Sequence, residues 1–167
     1  MTTPEFPADQ PPGAPPANLA DWGTRAIGYL IDYLPIFVLY LLTFIISRVS
    51  STLGFLLNLL VWLVGIGYFL YLGHLDGATG QTPGKQAQGI RVVNDAGELI
   101  GSGPGIARKL AHIIDSAVCL IGWFLPLFDA KRQTIADKIM STYVVRGVEK
   151  KPFGVDLYLP KSQEQSS

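Results

Sequence analysis

Charged side chains thin out along this chain into two runs, each long enough to cross a lipid bilayer. Residues 26–46 hold a single charged side chain, Asp32, with Arg25 at the mouth of the run. Residues 53–75 hold none, their polar positions being Asn58 and His74. About 20 apolar residues span the hydrocarbon core, so residues 24–46 and 53–75 each predict a transmembrane helix. Residues 47–52 between them are too few for anything but an antiparallel hairpin. Trp22, Tyr68 and Tyr71 lie near the run ends, where aromatic residues favour the membrane interface. A third apolar stretch, residues 111–128, has His112 and Asp115 in its first turns, follows Arg108 and Lys109, and is interrupted by Gly122 and Pro126.

The third stretch has two readings. As a plain third span it has little margin. As an element that enters and returns, it needs protein or a water-filled cavity around its irregular backbone. Lys85, Arg91, Arg108 and Lys109 precede it, and Lys131, Arg132, Lys138, Arg146, Lys150, Lys151 and Lys161 follow it, whereas the 47–52 loop holds only Arg48. Basic segments favour the cytoplasmic side, and one full crossing would separate these two. Strand chemistry argues the same way. GIRVV at 89–93, a turn at 94–97 and residues 98–100 read as a β-hairpin, and TYVV at 142–145 is a β-branched run that would support it. The favoured fold is therefore an all-α integral membrane protein. It has two transmembrane helices, a third, re-entrant apolar helix, and a small cytoplasmic β-hairpin or three-stranded patch. A three-span bundle is the alternative.

Composition narrows the function classes. Of 167 residues, 49% are hydrophobic and 16% charged, with mean hydropathy +0.31; soluble domains carry nearer 25% charge. Thirteen basic residues balance thirteen acidic ones, leaving no basic field for nucleic acid. The single cysteine, Cys119, excludes an internal disulfide and reads as a small packing residue. Residues 1–21 lack Lys and Arg and hold three acids and six prolines, unlike a secretory leader. Residues 1–20 are expected to be a disordered Pro-rich tail able to meet an aromatic groove in a protein partner. The membrane domain is then 21–147, followed by a tail at 148–167.

Three signatures in order give the chain a family likeness. They are the arginine and aspartate in TRAIGYLID, a G-x-T-x-G-K run at Gly80, Thr82, Gly84 and Lys85 leading into GIRVV, and R-Q-T-x-x-D ending at Asp137 before TYVV. Over residues 20–147 the chain resembles the RDD family of membrane proteins, named for one arginine and two aspartates. Arg25, Asp32 and Asp137 match those three. Pro83 departs from the aliphatic residue more usual there. The resemblance implies transport, with ion or Na⁺/H⁺ exchange as the proposed activity.

The candidate chemistry lies in charges on helix faces. Arg25 and Asp32, seven residues apart, fall within about 20° of one another on a helix. A charge at mid-bilayer costs roughly 2.5–3.5 kcal/mol on insertion scales, so a partner or a task is expected: a proton or cation site, or a structural pair. Arg108, His112 and Asp115 repeat that spacing on one face, so two helices could present facing Arg and Asp ladders with crossed pairs, and His112 could relay a proton. Asp137 is expected to act as a latch, bonding backbone amides or a basic residue such as Arg91 or Arg108. The 76–86 loop fails as a phosphate-binding loop, because Thr79 and Gln86 replace the required glycine and hydroxyl. Gly80, Thr82, Gly84 and Lys85 read instead as a tight turn, with Lys85 on lipid headgroups. His74 and His112 alone make no metal site, and no cofactor or enzyme motif stands out.

The leading functional expectation is transport, or cation/proton exchange of an unidentified solute, in the cell (inner) membrane. The N-terminus would be cytoplasmic, and homo-oligomers would form because two or three helices leave little room for a pathway. The alternative is a membrane scaffold or accessory subunit using the Pro-rich tail and the basic cytoplasmic face.

Overall fold

The computed structural model describes residues 16–117 and 121–158. The expectations for Cys119 and for most of the Pro-rich tail lie outside the described residues. Helix α1 spans Trp22–Ser47 and α2 spans Ser51–Ala78. Asp21 starts α1 by accepting from the Thr24 amide at 2.8 Å, and Ser50 caps α2. Three residues join the two helices, which fold antiparallel with Thr43 bonded to Asn58 at 3.1 Å. Both helices are long and apolar enough to cross a membrane. At 1.5 Å per residue they run about 39 and 42 Å, against about 30 Å of hydrocarbon. Their outer faces leave Leu30 72% and Phe55 68% exposed, which suits lipid as the surrounding solvent.

Pro35 lies inside α1 and has no N–H for the carbonyl of Ile31. That carbonyl is not left bare: the Tyr158 hydroxyl donates to it at 2.6 Å. The neighbouring Asp32 carbonyl accepts from Tyr68 of α2 at 2.9 Å. The helix therefore continues through the proline with side chains supplying donors to its backbone.

After α2 the chain makes a short helix α3 (Pro83–Gln88) and a strand β1 (Ile90–Asn94). Helix α4 follows over Ser102–Ala117, then a single turn α5 (Ile121–Phe124), a 3₁₀ turn at Leu125–Leu127, α6 (Ile135–Ile139) and strand β2 (Thr142–Arg146). Residues 111–128 thus do not form one continuous helix. Their first part belongs to α4, which begins nine residues earlier with an amphipathic pattern. Gly122 comes so close to Asp115 that a Cβ would lie 2.7 Å from the Asp115 Cα, so the chain folds back on itself there.

The sheet differs from the hairpin expectation. β1 pairs antiparallel with β2, Val92 opposite Val144, and residues 98–100 form no strand. The free edge of β1 is already occupied: Gly80 O accepts from Val92 N at 2.8 Å and Gln81 donates to Ile90 O. Only Glu98 O reaches that edge, at Asn94 N. The outer edge of β2 is covered by the residues before α1, with Ala20 N donating to Val144 O and Arg146 N to Asn18 O, both at 2.8 Å. Asn18, Leu19 and Ala20 are therefore part of the folded unit, and a boundary at residue 20 cuts through it. The tail drawn from residue 148 is likewise docked as far as Tyr158, with Lys151 N bonded to Gln86 O at 3.0 Å.

Two glycine contacts set how the elements approach. Gly73 and Gly77 of α2 face Gly105 of α4 and Gly101 just before it, and Gly101 N donates to Gly77 O at 3.0 Å. Gly84 of α3 rests on the Gly28 carbonyl of α1. Small residues four apart allow helix backbones to meet, and these two contacts bring α3 and α4 against the transmembrane pair. Gly84→Ala drives a methyl into the Gly28 carbonyl, and overpacking of this kind costs about 1–3 kcal/mol. A clear fall in melting temperature in detergent is expected. Gly67→Ala, where a Cβ meets nothing within 4 Å, should show no such loss.

Candidate functional site

Four carboxylates are buried where α1, α2, α3, α4 and α6 converge, and each has its own set of donors. Asp32 is 1% exposed. It accepts from Thr82 Oγ1 and from Gly84 N, both at 2.7 Å. Thr82 caps α3, so its hydroxyl and the first free amides of that helix lie together. The GQTPGK signature is thus a cradle for the Asp32 carboxylate. Gly80 takes φ +71°, which turns the chain into the cap. Lys85 does not reach headgroups. It is 4% exposed and pairs with Asp76 at 2.6 Å.

Asp76 also accepts from Arg108 at 3.1 Å. Arg108 continues to Asp137, with Nε at 2.9 Å and Nη2 closer still. Asp137 takes Arg25 Nη1 on its other oxygen at 2.7 Å. The pairs form an unbroken chain: Lys85, Asp76, Arg108, Asp137, Arg25. Thr134 and Asp137 close a capping box at the start of α6, which fixes the carboxylate towards the guanidinium groups. Burial alone would raise the Asp137 carboxyl, but Arg108 and Arg25 hold it well below the usual carboxylate range.

Facing ladders with crossed pairs do not form. Arg25 and Asp32 are both buried on one face of α1, but two turns separate them by about 10 Å. Arg25 therefore meets α6 and Asp32 meets α3. Arg108, His112 and Asp115 are likewise buried on one face of α4. Both arginines converge on Asp137, while Asp115 takes the Ile135 amide at 2.9 Å and His112 Nδ1 at 2.6 Å. Arg91 takes no part in the Asp137 cluster. Burial pushes His112 down to about 4 despite its bond to Asp115. A neutral ring donating from Nδ1 leaves Nε2 to accept the Tyr29 hydroxyl at 3.0 Å. His112 is an orienting group here, with no charge change near neutral pH.

Lys109 stands apart. It is 1% exposed, and its ammonium has no hydrogen-bond partner among the described residues. It lies 5.2 Å from the ring centres of Tyr29 and Tyr33 and 5.8 Å from Phe69. Burial lowers its pKa to about 8, against the opposing pull of Asp76 and Asp32. Next to Arg108 in sequence it reads as a surface cation, and only the three rings, from two other helices, reveal its setting. Asp76 escaped the sequence reading because DGATG looks like a loop, whereas α2 continues to Ala78. Among the described residues no group of three or more His, Cys, Asp or Glu side chains is placed to hold a metal ion.

Comparison with known proteins gives a consistent match. Residues 19–141 match the model of the RDD family. Proline-rich antigen of Mycobacterium leprae is 34% identical over 145 residues, covering 72% of this chain and 58% of that protein. Proline-rich antigen homolog of Mycobacterium tuberculosis is 34% identical over 155 residues, covering 78% of this chain and 65% of that one. An uncharacterized Bacillus subtilis protein, YxaI, is 37% identical over 95 residues, covering 56% and 61%. The chain spans less than two thirds of the length of these relatives. No solved structure matches it.

Asp137→Asn leaves two buried guanidinium groups facing a neutral amide. Breaking a buried pair costs roughly 3–5 kcal/mol. The protein should lose abundance in the membrane and unfold at a markedly lower temperature in detergent, which thermal shift and quantitative blotting would measure.

Proposed function

This chain belongs to the RDD family, and on that premise we propose that it exchanges protons for a cation or cationic solute across the cell membrane. Lys109 would carry the proton. The observation behind this reading is the unpaired Lys109 ammonium inside an otherwise paired charge network. It combines burial, no hydrogen-bond partner among the described residues and a pKa near the working range. Protonated, it offsets the negative charge of Asp32 and Asp76. Deprotonated, it leaves the site one positive charge short, because Asp32 is held only by the neutral Thr82 and Gly84 donors, and a cation entering the site restores the balance. One proton out for one positive charge in is the stoichiometry this arrangement favours. With so few membrane-crossing helices per chain, a homo-oligomer would enclose the path.

Proteoliposomes holding a cation gradient test the reading. Proton movement should respond to at least one of Na⁺, K⁺ or Li⁺, change most steeply near pH 8, and vanish in Lys109→Met. Unchanged exchange by a well-expressed Lys109→Met protein would remove the proposal. Stability supplies a separate check. Folding lowers the Lys109 pKa from 10.5 to about 8, so between these values only the unfolded chain binds the proton. The burial cost, on the order of 3 kcal/mol at neutral pH, is relieved as pH rises from 8 to 10.5. The melting temperature in detergent should rise across that window, and Lys109→Met should flatten the rise.

The same reading places residues 16–20, the sheet and the C-terminal segment in the cytoplasm. β1 precedes α4 and β2 follows α6, yet the two are paired, which favours a return of the intervening unit to the side it left. In a Cys119→Ser background, a membrane-impermeant thiol reagent applied outside cells should label Val49→Cys and miss Glu149→Cys. Labelling of residue 149 would mean a third full crossing.

A scaffold role is the second reading. It is favoured by the docking of Asn18 and Ala20 on β2, which anchors the residues that directly follow the Pro-rich stretch of the sequence. The proline-rich names of the mycobacterial relatives are compatible with it.

A further inference from the structure

An apolar groove of about 760 Å³ runs along α1 beside α5 and the following 3₁₀ turn. Trp22, Tyr29, Leu34, Phe37, Trp123 and Pro126 line it, and Arg25 stands among them. From Trp22 to Phe37 is fifteen residues, roughly 22 Å of helix. Arg25 is only 5% exposed. It gives Nη1 to Asp137, while its Nε and Nη2 have no hydrogen-bond partner among the described residues. A buried guanidinium with two idle donors at the end of a long apolar channel is matched by a molecule with an acidic head and a hydrocarbon tail.

Position selects the source. Arg25 is the fourth residue of a 26-residue apolar helix, which sets it at the depth of lipid headgroups, with the groove running from there towards the bilayer centre. The volume falls within the range of ordinary ligand sites. We infer that the groove binds an anionic membrane lipid, with one acyl chain lying along α1 between Tyr29 and Phe37 and the acidic headgroup on Arg25. Lys109 packs against Tyr29 and Tyr33 but does not itself line the groove, and the inference does not depend on exchange activity.

The chain has three tryptophans, Trp22, Trp62 and Trp123. In Trp62→Phe the two that remain both line the groove, so bromine atoms on a lipid acyl chain quench them only on occupying it or its rim. The full chain is reconstituted in zwitterionic vesicles containing a small fraction of acyl-brominated phosphatidylglycerol or acyl-brominated phosphatidylcholine. Brominated phosphatidylglycerol should quench with about a fivefold preference, the effect of one basic residue at an anionic membrane surface. Inorganic phosphate in the buffer should not compete. Ala26→Phe fills the groove beside Arg25 and should abolish the preference while leaving the Arg25–Asp137 pair in place. Arg25→Gln should abolish it as well, and if that variant does not fold, Ala26→Phe decides. Equal quenching by the two lipids would overturn the inference. So would competition by free phosphate, a preference that survives in Ala26→Phe, or an absence of quenching because a tail or a second copy covers the groove.

Discussion

The structure depends on neutralising carboxylates that have been taken out of water. A carboxylate in a low-dielectric setting needs opposite charge or several donors, and here Asp76 and Asp137 receive cations while Asp32 and Asp115 receive neutral donors. Asp137 is the hinge of the scheme. It is carried by a five-residue helix too short to hold itself, yet it receives Arg25 from α1 and Arg108 from α4. The short helix is held by its charge partners, and it holds α1 and α4 in register in return.

Backbone approach makes this possible. Side chains as short as aspartate reach across only where helices nearly touch. Gly73 and Gly77 against Gly105 and Gly101 bring α4 onto α2, and Asp76 and Arg108, one residue before and three residues after those glycines, then meet. Gly28 against Gly84 does the same for Asp32 and the α3 cap. These residues thus form a single physical device. Glycines remove the spacing between backbones, and the charges occupy the contact.

Much of this was legible in sequence, and the gaps have physical causes. The two spans, Arg25 and Asp32 on one face of the first of them, and TYVV as a partner for the GIRVV strand followed from hydrophobic runs and β-branched residues. Partner choice did not follow, because helical periodicity gives the face of a residue and not its height on a neighbour. Arg25 and Asp32 share a face but address different elements. Asp76 was hidden by glycines that serve packing while resembling a turn. The docking of Asn18 and Ala20 on β2 runs through backbone groups, which leave no side-chain pattern to read. The two glycine pairs spaced four apart were present in the sequence, and they are the signal that hydrophobic counting passes over.

The bond from Tyr158 to the Ile31 carbonyl ties the end of the described chain to the middle of its first helix. A proline in a membrane helix creates a vacancy in the hydrogen-bond ladder that lipid cannot fill. Here the occupant arrives from 127 positions away in sequence. During synthesis α1 is complete long before Tyr158 emerges from the ribosome, so the helix enters the bilayer with that carbonyl still open. The last docked segment therefore finishes a helix made first, and the order of assembly is written into which tyrosine closes the gap.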